Sequence, residues 1–295
     1  MFLADKIKQT ADCLSQAEAL LIGAGAGMSA AAGFDFTDKT AFARDYPGML
    51  QYGFNCKMNM MANFSVPQEL LWGYYLQHVK ETRFEPGTNP TYQDLLAIAE
   101  RLKNYFVITT NADGLFERNN FEKTRIHTPQ GDYKLVQCLT PCTTQTWDIK
   151  PVIEQYLPLV DKATQKLPRN QCPKCPNCGG PIFLNVRGGN WFVEEPWIEG
   201  ALRYKKWLSE NQHRRIVVID IGSGFNTPMW VRWPAEELVR RNPNARLIRM
   251  NTLHPEVPDD IKKQSISFSE SANEILAQLI VTTSSKVDSL PSFLV

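Results

Sequence analysis

The chain has 295 residues, of which 43% are hydrophobic and 21% are charged, a composition that is ordinary for a globular protein and excludes extended disorder. Its 32 basic and 31 acidic residues give a net charge of +1, which argues against a protein devoted to nucleic acid or to a membrane surface. Charged residues interrupt the first apolar segment, and the longest apolar run, residues 19–28, is too short to span a bilayer. We therefore expect no signal peptide and no membrane span, and the expected compartment is the cytoplasm.

The first third of the chain predicts a helix, a buried strand, a second helix and an insertion. Apolar residues at helical spacing indicate a short amphipathic helix over 2–17. The compact apolar run over 19–23 ends in glycines, which is typical of a buried parallel strand, and small residues from Met28 onward favour a helix packed closely on a sheet. Residues 34–92 are irregular and rich in Phe, Tyr, Asn, Met and Pro, and we interpret them as an insertion.

The rest of the chain repeats the alternation of helices and strands. We predict helices over 92–102, 229–241 and 270–280, strands over 105–109, 216–221 and 246–250, and a stretch without helical period over 133–190. This alternation, with glycines at strand ends, indicates an α/β fold with a Rossmann-like, doubly wound parallel sheet and an inserted smaller domain. We assign 1–33, 91–132 and 211–295 to the Rossmann-type domain, and 34–90 and 133–210 to the inserted one.

Two glycine-rich turns follow predicted strands. Gly25, Gly27 and Ala30 fit the G-x-G-x-x-A form of the dinucleotide fingerprint, in which a turn without side chains lets backbone N–H groups and a helix N-terminus face a pyrophosphate. Gly222 and Gly224 repeat the arrangement after a later strand, and the carboxyl ends of parallel strands share one crevice. The alternative is that these glycines only permit close helix packing. Because the expected acidic residue further along is ambiguous, an ordinary dehydrogenase does not follow.

A polar turn follows the predicted strand over 105–109. Asn111 and Asp113 would reach the same edge of the sheet as the glycine turns, where polar side chains can bind ribose hydroxyls or an amide. Asn and Asp are also ordinary turn formers, and that interpretation stays open.

Five of the seven cysteines cluster in the segment without helical period. The odd count without a secretion signal argues against a disulfide framework, and paired thiols in a reducing compartment more often hold a metal. Cys138 and Cys142, together with Cys175 and Cys178, predict one zinc site, which would be structural because four thiolates leave no position open for water. Cys172 is a competing ligand, since its spacing to Cys175 also makes a valid pair. The smaller domain is thus expected to be zinc-binding.

Together these motifs resemble the sirtuin family, in the family's order and over most of the chain, from about 18 to 280. The five matching elements are residues 25–33 for the GAG-x-S…AG loop, 110–115 for T-Q-N-I-D-x-L, 175–180 for the second zinc knuckle and, for the later contacts to NAD, residues 222–224 and, separately, Asn251. Each motif is weak alone, but five in register are specific.

The resemblance implies that NAD is the cosubstrate and that it lies across the crevice. The residues that it assigns to NAD are Gly25, Ala26, Gly27 and Ser29 at the phosphates and ribose, Asp35 and Phe36 in the covering loop, Asn111, Asp113 and Gln130 at the nicotinamide end, and Gly222, Ser223 and Asn251 at the adenosine half. Asn111 would hold the nicotinamide ribose, and Asp113 would hold the nicotinamide amide.

The sequence departs from the family pattern at the catalytic base. The family's histidine opens an H-G-S element eight residues before the first zinc cysteine, and counting back from Cys138 gives Gln130. Glutamine cannot take a proton near neutral pH, so the group that serves as base in deacylation is missing. His127 is the neighbouring histidine and would be a base only if the register slips, which the glycine after Gln130 argues against.

The acceptor channel departs as well. The family's V-V-x-F-G-E segment is replaced by residues 185–194, which bring Arg187 and a polar glycine loop, and the loop after Gly33 is one residue shorter and lacks the family's arginine. Arg187 could orient an acidic or carbonyl acceptor group, although a solvated loop arginine is the alternative. Asn111, Gln130 and Arg187 are therefore the candidate catalytic residues.

A crevice that binds NAD without that base favours direct transfer of ADP-ribose to a protein, because breaking the nicotinamide bond needs charge stabilisation and a positioned acceptor. The departures resemble the macrodomain-linked microbial sirtuins. That resemblance implies a mono-ADP-ribosyltransferase with little or no deacetylase activity, which acts on a lipoylated glycine-cleavage H-like carrier protein and is opposed by a macrodomain ADP-ribose hydrolase. The alternatives are an NAD-dependent protein-lysine deacylase and a non-catalytic sensor of NAD or ADP-ribose. The short basic clusters at 203–207 and 213–215 are more typical of a solvated face than of a nucleic-acid site.

Overall fold

Two β-sheets organise the fold. A computed structural model describes residues 2–61, 63 and 65–287. The strands, in chain order, are β1 (Ala19–Ala24), β2 (Tyr105–Thr109), β3 (Ile126–His127), β4 (Gly131–Cys138), β5 (Trp147–Asp148), β6 (Ile182–Val186), β7 (Ile216–Ile221), β8 (Arg246–Met250) and β9 (Ser265–Phe268). A large parallel sheet has the order β3-β2-β1-β7-β8-β9, and a small antiparallel sheet has the order β5-β4-β6.

The strand order reverses at the centre of the large sheet. Strand β1 pairs with β2 on one side and with β7 on the other, so that Leu20 lies beside both Tyr105 and Val217. In open parallel sheets such a switch point leaves a crevice at the carboxyl ends of the strands, where ligands bind. The predicted doubly wound sheet is confirmed, and its crevice lies beyond Ala24 and Ile221.

Helices cover both faces of the large sheet. The α-helices of the described residues are α1 (Leu3–Gln16), α2 (Ala26–Ala31), α3 (Lys39–Asp45), α4 (Gln68–Val79), α5 (Pro90–Leu102), α6 (Leu115–Arg118), α7 (Lys150–Tyr156), α8 (Glu195–Asn211), α9 (Arg232–Arg241) and α10 (Ala272–Val287). Helices α1, α5 and α10 pack against Leu20 and Ile22 on one face, and α9 packs near Leu21 on the other. Because successive strand residues face opposite ways, burial on both faces explains why β1 is apolar throughout.

A second core lies between α4, α7 and the small sheet. Trp72 and Tyr75 of α4 meet the ring of Phe183 on β6 edge-on, with centroids 6.2 and 4.9 Å apart. This core draws its residues from 42–79 and from 133–184.

Helix α8 follows the small sheet in the chain but packs on the large one. Its Tyr204 and Trp207 lie with ring centroids 5.5 and 5.9 Å from that of Phe106 on β2. Helix α8, apart from its last residue, falls within residues 133–210, which we assigned to the smaller domain from the sequence. None of the described helices is both long enough and apolar enough to cross a membrane.

The predicted strands over 19–23, 105–109, 216–221 and 246–250 are confirmed, each within one residue. The expectation of an irregular segment over 34–92 was wrong for α3 and α4. Nine of the 12 residues of α4 are buried, so its apolar residues surround the helix and leave no one-sided period to detect. Helices α6, α7 and α8 and strands β3, β4, β5, β6 and β9 were not predicted, and α7 lies in the stretch 133–190, where no helical period was expected.

His78 on α4 is buried in an aromatic cluster, and it has no ion-pair partner among the residues that the structure describes. Its ring stacks on Tyr74 with centroids 5.1 Å apart and meets Phe36, Tyr75 and Tyr133 edge-on. Burial lowers the pKa of His78 to about 3. The histidine is therefore neutral in the folded protein throughout the physiological range.

We expect this histidine to make the fold sensitive to acid. The unfolded chain binds the proton with the ordinary pKa of about 6.5, so the stability that neutral His78 confers is complete above that pH and is lost as the pH falls towards 3. Between pH 7 and pH 5 the loss is about 2 kcal/mol. Urea unfolding at both pH values should show a smaller loss for His78→Phe than for the unsubstituted protein. The variant His213→Gln, which removes an exposed histidine, should keep the full loss. An equal loss in His78→Phe would contradict the assignment.

Candidate functional site

The two glycine turns pack directly on each other at the centre of the large sheet. A Cβ added to Gly27 would lie 2.5 Å from the Cα of Gly222, and one added to Gly25 would lie 2.6 Å from the Gly222 carbonyl oxygen. Gly222 has φ +63°, a left-handed conformation that residues other than glycine rarely adopt. Ala26 begins α2 directly after this contact. The backbone of both turns and the first residues of α2 therefore line the crevice at its centre.

A hydrogen-bonded chain of side chains joins the first glycine turn to residues 110–114, which we call the asparagine loop. The Asn111 amide donates to the Gly25 carbonyl at 2.9 Å and to Ser29 Oγ at 3.0 Å. Ser29 Oγ in turn donates to Asp113 Oδ2 at 2.6 Å, and Asp113 Oδ1 accepts from the Leu115 N–H at 3.0 Å. Burial raises the pKa of Asp113, whereas these two bonds favour its charged form. The orientation of both polar side chains is thus fixed before any ligand binds.

The second glycine turn is held by Asn251, which follows β8. The Asn251 amide donates to the Ser223 carbonyl at 2.9 Å, and its Oδ1 accepts from the N–H groups of Leu253 and His254. Ser223 and Asn251 are both buried. The structure therefore brings Gly222, Ser223 and Asn251 together at one end of the crevice.

Two buried arginines lie behind this end of the crevice and were not singled out from the sequence. Arg249 on β8 pairs with Asp220 on β7 at 2.9 Å, and its second nitrogen lies 2.8 Å from Glu236. Burial raises the pKa of Asp220, while the Arg249 guanidinium favours its charged form. Arg232 donates to the carbonyls of Ser223, His254 and Glu256 at 3.2, 3.1 and 2.9 Å. This network joins the second glycine turn to the loop after β8.

A sequence signal for one of these pairs was available. Asp220 and Arg249 each lie within a predicted strand that is otherwise mostly apolar, and they are register partners in neighbouring strands. A buried charge needs an opposite charge beside it, so two such interruptions predict a pair. No comparable signal identifies the backbone carbonyls that Arg232 bonds.

Asp35 and Phe36 lie in the segment between α2 and α3. Asp35 is exposed, and its Oδ1 accepts from the backbone and hydroxyl of Thr37 at 2.7 Å each. Phe36 is half-buried, and its ring lies 5.7 Å from that of His78. Phe36 thus rests on the aromatic cluster of α4, whereas Asp35 closes a local turn.

Gln130 and Arg187 meet where the small sheet begins. Residues 128–131, which we call the glutamine turn, lead into β4, whose first residue is Gly131, and the N–H of Arg187 donates to the Gln130 carbonyl at 2.9 Å. The glutamine turn is close to the asparagine loop, because the Tyr133 N–H donates to the Ala112 carbonyl at 2.8 Å. A cavity of about 180 Å³ is lined by Asn111 and by Thr128, so it links the loop with the turn.

The Arg187 side chain is held from several directions. Its Cζ lies 4.3 Å from the ring centroid of Phe192 and 5.2 Å from that of Trp230, its Nε donates to the Pro129 carbonyl at 3.1 Å, and it pairs with Glu194 at 2.6 Å. The side chain remains 29% exposed, so a partner can still reach it. Arg187 was singled out from the sequence, but its contacts with the two rings were not. Trp230 is distant from Arg187 in the chain.

His127 lies on β3 in a position that suits packing more than proton transfer. It is 8% exposed, and its ring stacks on Tyr204 with centroids 5.9 Å apart. Burial, with help from Arg203 and Arg187, lowers the pKa of His127 to about 4. A group with so low a pKa is a poor proton acceptor near neutral pH.

The four cysteines of the predicted zinc set converge at the edge of the small sheet. The Sγ atoms of Cys138, Cys142, Cys175 and Cys178 all lie within 4.8 Å of one another, with two pairs at 3.6 Å. Thiolates about 2.3 Å from a tetrahedral zinc ion are about 3.8 Å apart, so this set fits zinc. Cys172 is not in the cluster.

Gly27→Ala should weaken NAD binding, because its Cβ collides with the backbone of Gly222, which has no side chain that could move. We expect the dissociation constant for NAD, measured by titration calorimetry, to rise at least about tenfold, as a displaced turn loses the close approach that glycine permits. Gly87→Ala is the control, since a Cβ there has no atom within 4 Å. Unchanged affinity in Gly27→Ala would show that the glycine contact does not shape the crevice.

Removing one clustered thiol should release the metal. Cys175→Ser should lower the zinc content, measured by mass spectrometry of the metal, from about one ion per chain to near zero and lower the melting temperature. Cys172→Ser should retain the zinc, because Cys172 lies outside the cluster. If Cys172→Ser lost the zinc and Cys175→Ser retained it, Cys172 and not Cys175 would be the zinc ligand.

The comparisons with known proteins agree with this geometry. No family model matches the chain. A protein of Fusarium oxysporum f. sp. cubense named a probable bifunctional ADP-ribose hydrolase/ADP-ribosyltransferase is 38% identical over 244 residues, which are 80% of this chain and 41% of that protein. This chain therefore spans about two fifths of the Fusarium protein. A Staphylococcus aureus protein ADP-ribosyltransferase is 27% identical over 282 residues, which are 94% of this chain and 88% of that protein.

A solved structure gives the same fold. The complex of a Sir2 homologue with NAD superposes with a TM-score of 0.62, covers 95% of this chain and 94% of the other, and is 19% identical. The sirtuin fold thus extends over nearly the whole chain. The motifs and this fold agree: the chain has the fold of the Sir2 homologues, and its similarity to the two named ADP-ribosyltransferases covers 80% and 94% of its length.

Proposed function

We propose that this protein is an NAD-dependent protein mono-ADP-ribosyltransferase. The observation that supports the proposal is the glutamine turn: Gln130, at the position where the resemblance places the deacylation base, is bonded through its carbonyl to the backbone of Arg187. The names of the Fusarium and Staphylococcus aureus relatives support the same reaction. Residues that hold NAD, together with an arginine at the acceptor side, suit transfer better than deacylation.

The crevice fits NAD. The glycine turns pack on each other at the centre of the crevice, and the start of α2 would face the pyrophosphate there. Asn111 and Asp113, which already point in fixed directions, would hold the nicotinamide ribose and amide, and Ser223 and Asn251 would hold the adenosine half. NAD, when bound, supplies an ADP-ribosyl group whose bond to nicotinamide breaks as an acceptor oxygen bonds to the ribose.

The acceptor side explains why no base is needed. An Asp or Glu side chain has a pKa of about 4 and is already deprotonated at neutral pH, so it needs no proton acceptor before it attacks. Arg187 would orient such a carboxylate with its planar guanidinium. Gln130, which is neutral, would hold the acceptor or the ribose by hydrogen bonds. We propose Asn111, Gln130 and Arg187 as the catalytic residues on these grounds.

The proposed acceptor is a lipoylated glycine-cleavage H-like carrier protein, and the proposed opposing enzyme is a macrodomain ADP-ribose hydrolase. The carrier rests on the resemblance to the macrodomain-linked microbial branch. The hydrolase gains support from the Fusarium relative, whose name couples an ADP-ribose hydrolase to an ADP-ribosyltransferase. We also propose little or no deacetylase activity, since His127 is buried with a pKa of about 4.

Intact-mass spectrometry tests this proposal. After incubation with NAD, we expect one ADP-ribosyl adduct on the lipoylated carrier, none on the unlipoylated carrier and no loss of acetyl from an acetyl-lysine peptide. Asn111→Ala should lower the rate of adduct formation at least about 100-fold, because it removes a positioned contact to the reacting ribose. Asn244→Ala, at an exposed asparagine in the turn before β8, should leave the rate unchanged.

The same experiment separates the alternatives. Loss of acetyl would identify a deacylase and would mean that a base at another position acts. Binding of NAD without turnover on any acceptor would identify a sensor. Adducts on both carrier forms would keep the transferase and remove the dependence on lipoate.

A further inference from the structure

Arg83 is a buried arginine that lies between the two loops of the proposed catalytic site. It belongs to a π-helical turn, Lys80–Phe84, that extends α4 in the second core. Its side chain is 6% exposed. Neither the motifs nor the assignments to NAD include it. Turns of this kind inside helices are frequent at functional sites, which directs attention to what the guanidinium contacts.

The Arg83 guanidinium donates hydrogen bonds to Asp132, the residue directly after the glutamine turn. Arg83 Nε donates to Asp132 Oδ1 at 2.8 Å, and its terminal nitrogen lies 3.3 Å from Asp132 Oδ2. Asp132 Oδ1 also accepts from the Lys134 N–H at 2.7 Å, and the Asp132 side chain is 6% exposed. A buried carboxylate that is ion-paired and accepts several hydrogen bonds has little freedom to move. Arg83 therefore fixes the start of β4, two residues after Gln130.

The same guanidinium packs on the last residue of the asparagine loop. A Cβ on Gly114 would lie 2.3 Å from both Cζ and Nε of Arg83, and Gly114 has φ +68°. The Arg83 terminal nitrogen Nη2 also lies 3.2 Å from Oε2 of Glu117 on α6. Arg118, also on α6, donates to the Arg83 carbonyl at 3.2 Å. The arginine is thus fixed to the segment that follows Asn111 and Asp113.

We infer that Arg83 is a positioning residue that sets the spacing between Asn111 and Gln130. The inference rests on the proposed transferase function and deepens it by adding a residue outside the crevice to the catalytic arrangement. The asparagine loop extends from the large sheet, whereas the glutamine turn begins the small one. Arg83, on an element of the second core, contacts both sides at once. Its loss would let the loop and the turn shift relative to each other.

The geometry specifies which kinetic constant depends on Arg83. The glycine turns, Ser223 and Asn251 have no contact with Arg83 among those described, and they would supply most of the binding of NAD. The spacing of Asn111 and Gln130 instead governs how the ribose and the acceptor meet. A displacement of about 1 Å in such a pair costs about 100-fold in rate. Arg83 variants should therefore lower kcat while KM for NAD stays nearly unchanged.

The test compares Arg83→Lys, Asp132→Asn and their double variant in the carrier assay, with calorimetric titration of NAD alongside. We expect kcat to fall about 10- to 100-fold in each single variant, and KM and Kd for NAD to stay within about twofold. Because both substitutions break the same contact, the double variant should lose little more than either single one. Arg44→Lys is the matched control, since Arg44 makes a similar two-point contact to Asp45 in the same part of the chain but is exposed.

Each outcome bears on the inference. A kcat within twofold of the unsubstituted protein in either folded single variant would overturn it, as would a rise in KM with unchanged kcat or fully multiplicative effects in the double variant. If Arg83→Lys does not fold, Asp132→Asn decides alone. Transfer by the unsubstituted protein with unaffected variants would remove only the role of Arg83. Absence of transfer by the unsubstituted protein would overturn the proposed function and this role with it.

Discussion

The contact between the two glycine turns is the constraint on which the rest of the site depends. Strands β1 and β7 are neighbours in the sheet, so the turns that follow them leave at the same edge and must pass each other. Side chains on Gly27 or Gly222 would close the space between them. Once the turns touch, the start of α2, the asparagine loop and the loop after β8 all take their positions from hydrogen bonds to these two backbones.

Buried polar groups then complete what the backbone begins. The hydrogen bond from Ser29 to Asp113 fixes the asparagine loop on the first glycine turn. The ion pair of Asp220 with Arg249 fixes the end of the crevice at the second glycine turn. Such groups add little net stability, because each must be removed from water before it can pair. Their value lies in direction, since a buried hydrogen bond allows few orientations. The crevice is therefore already arranged in the protein alone.

Much of the fold and part of the site could be predicted from the sequence. The central strands and the cysteine set carry their own signals, namely apolar runs that end in glycine and ligand spacing. Helix α4 carries none, because burial on all sides removes the period by which a helix is recognised. The contact of Arg187 with Trp230 could not be predicted either, since Trp230 is 43 residues away in the chain and reaches Arg187 only in the folded protein.

The division of the site between two sheets has a chemical consequence. Groups that would hold NAD extend from the large sheet, whereas Gln130 and Arg187 belong to the small sheet and its edge. A change at the acceptor side can therefore alter the reaction without disturbing how NAD is held. Under the proposed function, a glutamine in place of a base would remove proton transfer but leave the nicotinamide end intact, and an arginine in contact with two rings would offer charge to an acceptor that needs no base. On that proposal the two residues would favour transfer only together, because a crevice with the glutamine but without the arginine would hold NAD and have no group to orient an acceptor.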